Sequence, residues 1–212
     1  ANAVCNGGAG LLALAMLKED PITKEALSHA RRWAWRFMNY AQSDDGGNTE
    51  GMQYWEYGLS FMMRFATMLE QVTEKDNGLL SHPSIQRISN MIRVSLCPDG
   101  APHGINDTIP APVGTELSYL AARRFDDPLA LWYGDHAGRW FQAREEAGKH
   151  SPGRMFGQWA TLYRPQLPEA TEALSLPTAF ALHSIEFGIL RSAPRYDVRW
   201  AAGLKGHRAP HT

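Results

Sequence analysis

Before residue 165, apolar residues recur at three- and four-residue steps with no two-residue alternation, and this constrains the chain more than any other feature. That period lines up apolar side chains on one face of a helix, so most of the chain reads as a run of helical hairpins. Gly10-Leu11-Leu12-Ala13-Leu14-Ala15-Met16-Leu17 is apolar almost all round, as a buried inner helix would be. Thr23 is placed to cap a second helix, to about Gln42, with Ala26, Ala30, Trp33, Phe37 and Tyr40 on one stripe. A third is expected over Met52–Thr73, carrying Trp55, Leu59, Met62 or Met63, Ala66 and Leu69. Ile85, Ile88, Met91 or Ile92 and Ser95 mark a fourth, which Pro98, Gly100 and Pro102 bring to an end. Two more open on prolines, at Pro112–Phe125 and Pro128–Glu146, and a short one follows at Arg154–Tyr163.

The tail has a different character. Arg164-Pro165-Gln166-Leu167-Pro168 reads as a linker, and Ala179–His183 and Ser184–Arg191 read as short strands. Tyr196–Lys205 is a third candidate, with Tyr196, Val198 and Trp200 on one face by period two. The expected organisation is a helical domain over 1–164, then a linker and the opening strands of a β domain over 165–212. So few strands would leave an unpaired edge if nothing followed. Both ends also fall inside structured-looking sequence, so the expectation is a segment of a longer protein.

Composition narrows the functional classes. Lys and Arg total 21 against 22 Asp and Glu, a net charge of −1, which gives no support to a polyanion binder working through bulk charge. A local basic groove is not excluded. Arg31, Arg32, Arg36, Arg64, Arg123 and Arg124 are candidates for one, although surface salt bridging accounts for them as well. No apolar run reaches the roughly 18 residues of a bilayer span. Cys5 and Cys97 fit either a disulfide or two free thiols, and two thiols make no framework.

Phosphate-loop, dinucleotide, metalloprotease and nucleophile-elbow motifs are missing. Gly7-Gly8-Ala9-Gly10 lacks the strand and lysine of a phosphate loop, so close helix packing explains it better. The densest constellation is Asp44-Asp45-Gly46-Gly47-Asn48-Thr49-Glu50-Gly51-Met52-Gln53-Tyr54-Trp55-Glu56-Tyr57-Gly58. Aromatic rings beside carboxylates suit a sugar, stacking on pyranose faces while polar groups take the hydroxyls, so Glu50, Tyr54 and Trp55 are candidate substrate contacts. Trp55 and Tyr57 are two apart and cannot share a helix face. A purely structural reading also fits, with Tyr54 and Trp55 in the core, Glu50 at the helix end and Asp44-Asp45 solvating a loop. A second loop, Pro98 to Thr108, offers His103 and Asn106 as ligand contacts, or simply Asx turns. His207 and His211 are four apart, but Gly206 and Pro210 argue against a helix there, so no two-histidine metal site follows.

Three segments together resemble the heparinase II/III-like polysaccharide lyases, which include related alginate lyases. Asn2-Ala3-Val4-Cys5-Asn6-Gly7-Gly8 resembles the start of a toroid helix in that family. Glu50-Gly51-Met52-Gln53-Tyr54-Trp55-Glu56-Tyr57-Gly58 resembles its E-G-x-x-Y-W-x-Y-G segment. Phe187-Gly188-Ile189-Leu190-Arg191-Ser192, with Lys205-Gly206-His207 and Pro210-His211-Thr212, resembles the first strands of its sandwich. The resemblance implies a mainly α fold, an incomplete (α/α) toroid followed by an antiparallel β-sandwich. It also implies β-elimination on a uronic-acid polysaccharide held between the two. The C5 proton of a uronate is weakly acidic, so the carboxylate must be neutralised as the enolate develops, while a base takes the proton and an acid serves the leaving oxygen. On the family pattern Tyr57 is the acid/base, and Asn2 and His211 join it in the cleft. The resemblance further implies an acidic polysaccharide or oligosaccharide as partner and a periplasmic or secreted location. No cofactor belongs to this stretch, and a structural zinc would be held by residues beyond Thr212. Ala1 stands where relatives have Trp or His, which leaves Asn2 a surrogate. Two other functions fit the residues: an (α/α) toroid glycoside hydrolase using a carboxyl pair from Asp44, Asp45, Glu50 and Glu56, and a non-catalytic glycan-binding relative.

Overall fold

The computed structural model describes residues 2–17, 20–103, 111–112, 115–149, 162–166, 175–195 and 197–206. These form seven helices and one small antiparallel sheet. The helices are α1 (Asn2–Ala15), α2 (Ile22–Ala41), α3 (Met52–Thr73), α4 (Pro83–Gln86), α5 (Asn90–Ser95), α6 (Thr115–Phe125) and α7 (Pro128–Glu146). The strands are β1 (Ala179–Leu182), β2 (Phe187–Arg191) and β3 (Ala201–Lys205), with β2 in the middle.

Helix α1 starts earlier than its apolar run, at Asn2, and passes straight through Gly7, Gly8 and Gly10. Glycine weakens a helix by about 1 kcal/mol relative to alanine, so tertiary packing must compensate. A Cβ on Gly7 would lie 3.0 Å from the Phe61 carbonyl oxygen, and one on Gly10 would lie 2.5 Å from the Phe65 ring. The glycines are what let the α1 and α3 backbones meet. Gly7 faces Phe61, Gly10 faces Phe65 and Gly58 faces Ala3, so α1 and α3 run parallel. Ala30 meets Gly10 while Phe37 meets Gly58, so α2 runs antiparallel to both.

Helix α3 is the centre of the core. Trp55, Leu59, Met62, Met63, Phe65, Ala66 and Leu69 are all at most 1% exposed. Capping differs from expectation at α2. Thr23 sits inside the helix and its hydroxyl donates to the Asp20 carbonyl oxygen, while the Asp20 carboxylate accepts from the Ile22 N–H at 2.9 Å. Asp20, and not Thr23, therefore supplies the side-chain acceptor at the start of this helix. At α7 the Asp127 carboxylate accepts from the N–H groups of Leu129 and Ala130, with Pro128 opening the helix.

The fourth expected helix is two short ones, broken at Arg87–Ser89. The break serves the Asp44–Asn48 loop, because Arg87 Nη1 donates to the Asp44 carbonyl and Asn90 Nδ2 to that of Asp45. Gly46 has φ +88, and any Cβ there would collide with the Arg87 carbonyl oxygen. Of the Arg154–Tyr163 helix, only its end falls among the described residues.

The strands are shorter than the sequence pattern suggested. A 3-10 turn at His183–Ile185, closed by Glu186 at φ 51, separates β1 from β2. Pairing runs Leu182↔Phe187 to Ala179↔Leu190, then Phe187↔Lys205 to Arg191↔Ala201. Val198 and Trp200 precede β3, Trp200 is 54% exposed, and Tyr196 lies outside the described residues. Along β2, Phe187, Ile189 and Arg191 face inward against α5, and Leu190 faces out.

Candidate functional site

The loop from Asp44 to Gly51 turns the chain from α2 into α3 and fixes the first turns of α3. Ser43 N donates to the Gly47 carbonyl, Asn48 Nδ2 to Ala41, and Glu50 N to Asn48 Oδ1. Asp45 bonds across to the sheet. Its carboxylate accepts from Ser184 Oγ at 2.5 Å, Ser184 N at 3.1 Å and Gly47 N at 3.1 Å. Burial alone would raise the Asp45 pKa, but these donors outweigh it and hold the carboxyl below its ordinary value.

The aromatic segment then divides by helix geometry. Tyr54 is 50% exposed and Tyr57 is half-buried, with its ring edge-on to Phe61 at 5.7 Å. Trp55 is 1% exposed and belongs to the core, so its ring has no face for a sugar. That corrects its reading as a substrate contact: on the first turn of a helix packed on several sides, the inward position is an apolar one. Tyr57 sits one residue before Gly58, where α3 meets Ala3 of α1. The start of α1, at Asn2, is thereby brought beside the turn that holds Tyr57; the Asn2 side chain is outside the described residues.

Glu56 points into the seam between α3 and α6 and is 5% exposed. There Arg64 makes a bidentate ion pair with Glu116, both almost completely buried. Burial, then the neighbouring Glu116 charge, raise Glu56 to about 8 against the opposing pull of Arg64. Glu56 is therefore mostly protonated at neutral pH. Burial also raises Glu116, opposed by its hydrogen bonds from Arg64, and raises Tyr163, which also lies in the field of Glu116. The seam was legible only in outline. Glu56, Ser60 and Arg64 fall at four-residue steps, a polar stripe on an otherwise apolar helix.

The remaining candidates are dispersed. Glu50 is exposed at the loop end. His103 packs in the helix–sheet seam, edge-on to Phe187 at 5.9 Å and against Gly203, with its backbone N–H donating to Ser95. Its Nδ1 is buried without a hydrogen-bond partner among the described residues. Asn106, His207 and His211 lie outside the described residues. Among those described, no three His, Cys, Asp or Glu side chains converge as a metal site, and no helix is long and apolar enough to cross a membrane. Cys5 and Cys97 are free thiols. The chain matches no protein-family model and no curated protein.

For a hydrolase, two carboxyl groups must face one substrate across a cleft. Asp45 is engaged with Ser184, and Glu56 is enclosed beside Arg64 and Glu116. Asp44 and Glu50 remain, both exposed.

Proposed function

We propose that this chain is the helical and first-strand portion of a lyase that cleaves a uronic-acid polysaccharide by β-elimination, with Tyr57 as acid/base. The observation that carries the reading is the position of Tyr57. It is the half-buried phenol on the first turns of α3, beside the start of α1, while its neighbours Trp55 and Glu56 are turned into the core. A phenol there can reach a bound chain and still be shielded enough for proton transfer to matter. The parallel α1 and α3, with α2 antiparallel to both, support an (α/α) toroid built of inner and outer helices, and the small sheet supports the opening of a sandwich. Asn2 and His211 are the residues assigned to carboxylate neutralisation and to the cleft, with Glu50, Tyr54, His103 and Asn106 as substrate contacts. A periplasmic or secreted location, and a zinc held beyond Thr212, belong to the same reading.

The test is Tyr57→Phe in the protein, assayed by ultraviolet absorbance of the unsaturated uronate product. The expected result is a loss of at least about 100-fold in kcat with KM within a few-fold. Undiminished product formation would remove Tyr57 from the chemistry. Saccharide binding by the wild-type chain with no unsaturated product would favour the non-catalytic glycan-binding relative.

A further inference from the structure

The structure sorts the six arginines that sequence offered for a local basic surface. Arg64 is paired with Glu116, Arg124 with Glu70, and Arg36 lies over the rings of Trp33 and Tyr40 at 4.9 and 5.9 Å. Arg123 is exposed at the last turn of α6, where a cation favours the helix dipole. Among the described residues Arg31 and Arg32 have neither kind of partner. Both are exposed, and neither makes an ion pair among the described residues, although Glu25 lies on the same helix. With Lys24, also exposed and unpaired among those residues, they line a groove of about 350 Å³ along one flank of α2.

The rest of that groove is Leu27, Ser28 and Trp35. Trp35 is 36% exposed and braced from behind, edge-on to His82 at 6.2 Å and packed against Gly78. A ring fixed before a ligand arrives loses little freedom on binding. From Lys24 to Trp35 the helix rises about 16 Å, longer than a single ion needs. A flat aromatic face, a hydroxyl and three cations without carboxylate partners among the described residues make a complementary set. The ring takes the apolar face of a pyranose, the serine takes a hydroxyl, and the guanidinium forks take carboxylates in bidentate geometry. A nucleic acid would ask for more than three cations on a chain of net charge −1.

We propose that the α2 groove is a binding site for a carboxylate-bearing oligosaccharide, separate from the Tyr57 segment and independent of lyase activity. The test is calorimetric titration of the 212-residue protein with oligogalacturonate, with a neutral cello-oligosaccharide of equal length and a single-stranded DNA oligonucleotide as comparisons. Wild type should bind oligogalacturonate, more weakly as salt rises, and bind the neutral chain at least about 10-fold more weakly. Arg31→Gln/Arg32→Gln should weaken acidic-sugar binding at least about 10-fold, and Trp35→Ala should weaken it too. Circular dichroism and thermal melting check that the surface variants remain folded. Unchanged affinity in the double variant, no binding by wild type, equal affinity for the neutral chain, or tighter binding of DNA would each overturn the proposal. Absence of unsaturated product would count against the lyase reading alone.

Discussion

Two buried arginines hold two different seams, and they do so by different physics. Arg64 joins α3 to α6 through a carboxylate, in a seam that also encloses Glu56. Among the described residues Arg191 donates only to carbonyl oxygens: those of Arg93 at 2.6 Å and Leu96 at 3.1 Å, which join β2 to α5, and that of Pro177 at 3.3 Å, just before β1. Its guanidinium caps the C-terminal end of α5, where a cation meets both free carbonyls and the helix dipole. Burial pushes Arg191 below its ordinary pKa, with no carboxylate among the described residues to oppose it. A seam closed by an ion pair depends on two side chains and on their protons. A seam closed on backbone carbonyls has a partner that neither titrates nor mutates.

The sharpest way to break that contrast is Arg64→Ala. Removing one member of a buried pair leaves Glu116 charged and Glu56 without its nearby cation, so the expected cost is about 3–5 kcal/mol in urea denaturation. Replacing both partners, Arg64→Met with Glu116→Leu, should recover most of that loss, because no buried charge remains uncompensated. A single-variant cost below about 1 kcal/mol would mean that the pair does not organise the α3–α6 seam.

The next largest effect concerns Glu56. Its carboxyl is raised from 4.5 to about 8 in the folded protein, so the native state keeps a proton that the unfolded chain releases. Stability therefore falls as pH rises through this window, by about 3 kcal/mol between pH 4.5 and 7. Glu56→Gln keeps the shape and removes the titration. It should be more stable than wild type at pH 7, with the gap closing toward pH 4.5. Parallel urea curves at several pH values check this, and equal pH slopes in both proteins would show that Glu56 is not the buried acid of the seam.

How much of this was legible in the sequence depended on whether an element's partner was near it in the chain. Helix α3 could be bounded at Met52 and Thr73 because its apolar stripe carries its own period, and α7 because Pro128 supplies a local start. The α4–α5 break was not legible, since its cause is the Asp44–Asn48 loop some forty residues earlier in the chain. At the candidate site, the segment from Tyr54 to Tyr57 could be found, but which ring faces outward could not. Two residues apart on a helix guarantees different faces without saying which face is inside. The inward position of Arg191 was implicit in the alternation with Phe187 and Ile189. Its meaning needed the α5 carbonyls, which no pattern along the strand announces.

The smallest expected effect probes the other end of the helix–sheet seam, where a carboxylate replaces the carbonyls. Ser184→Ala removes the hydroxyl donor to Asp45 Oδ1 and leaves the backbone donor to Oδ2. A hydrogen bond to a charged acceptor contributes more than a neutral one, but this site is only partly buried, so the expected loss is about 1 kcal/mol near neutral pH. The Asp45 pKa is lowered on folding, so its contribution is present above the unfolded value of 3.8 and is lost as pH falls through the lower folded one. Wild type and Ser184→Ala should therefore differ near pH 6 and converge in acid. That is the opposite sign to Glu56: raising pH loosens the α3–α6 seam, and lowering it loosens the link between the Asp45 loop and the sheet. Urea midpoints of wild type, Glu56→Gln and Ser184→Ala at pH 3, 5 and 7 separate the two trends. A stability gap between wild type and Ser184→Ala that stays constant across that range would show that the Asp45 charge does not take part in holding the sheet.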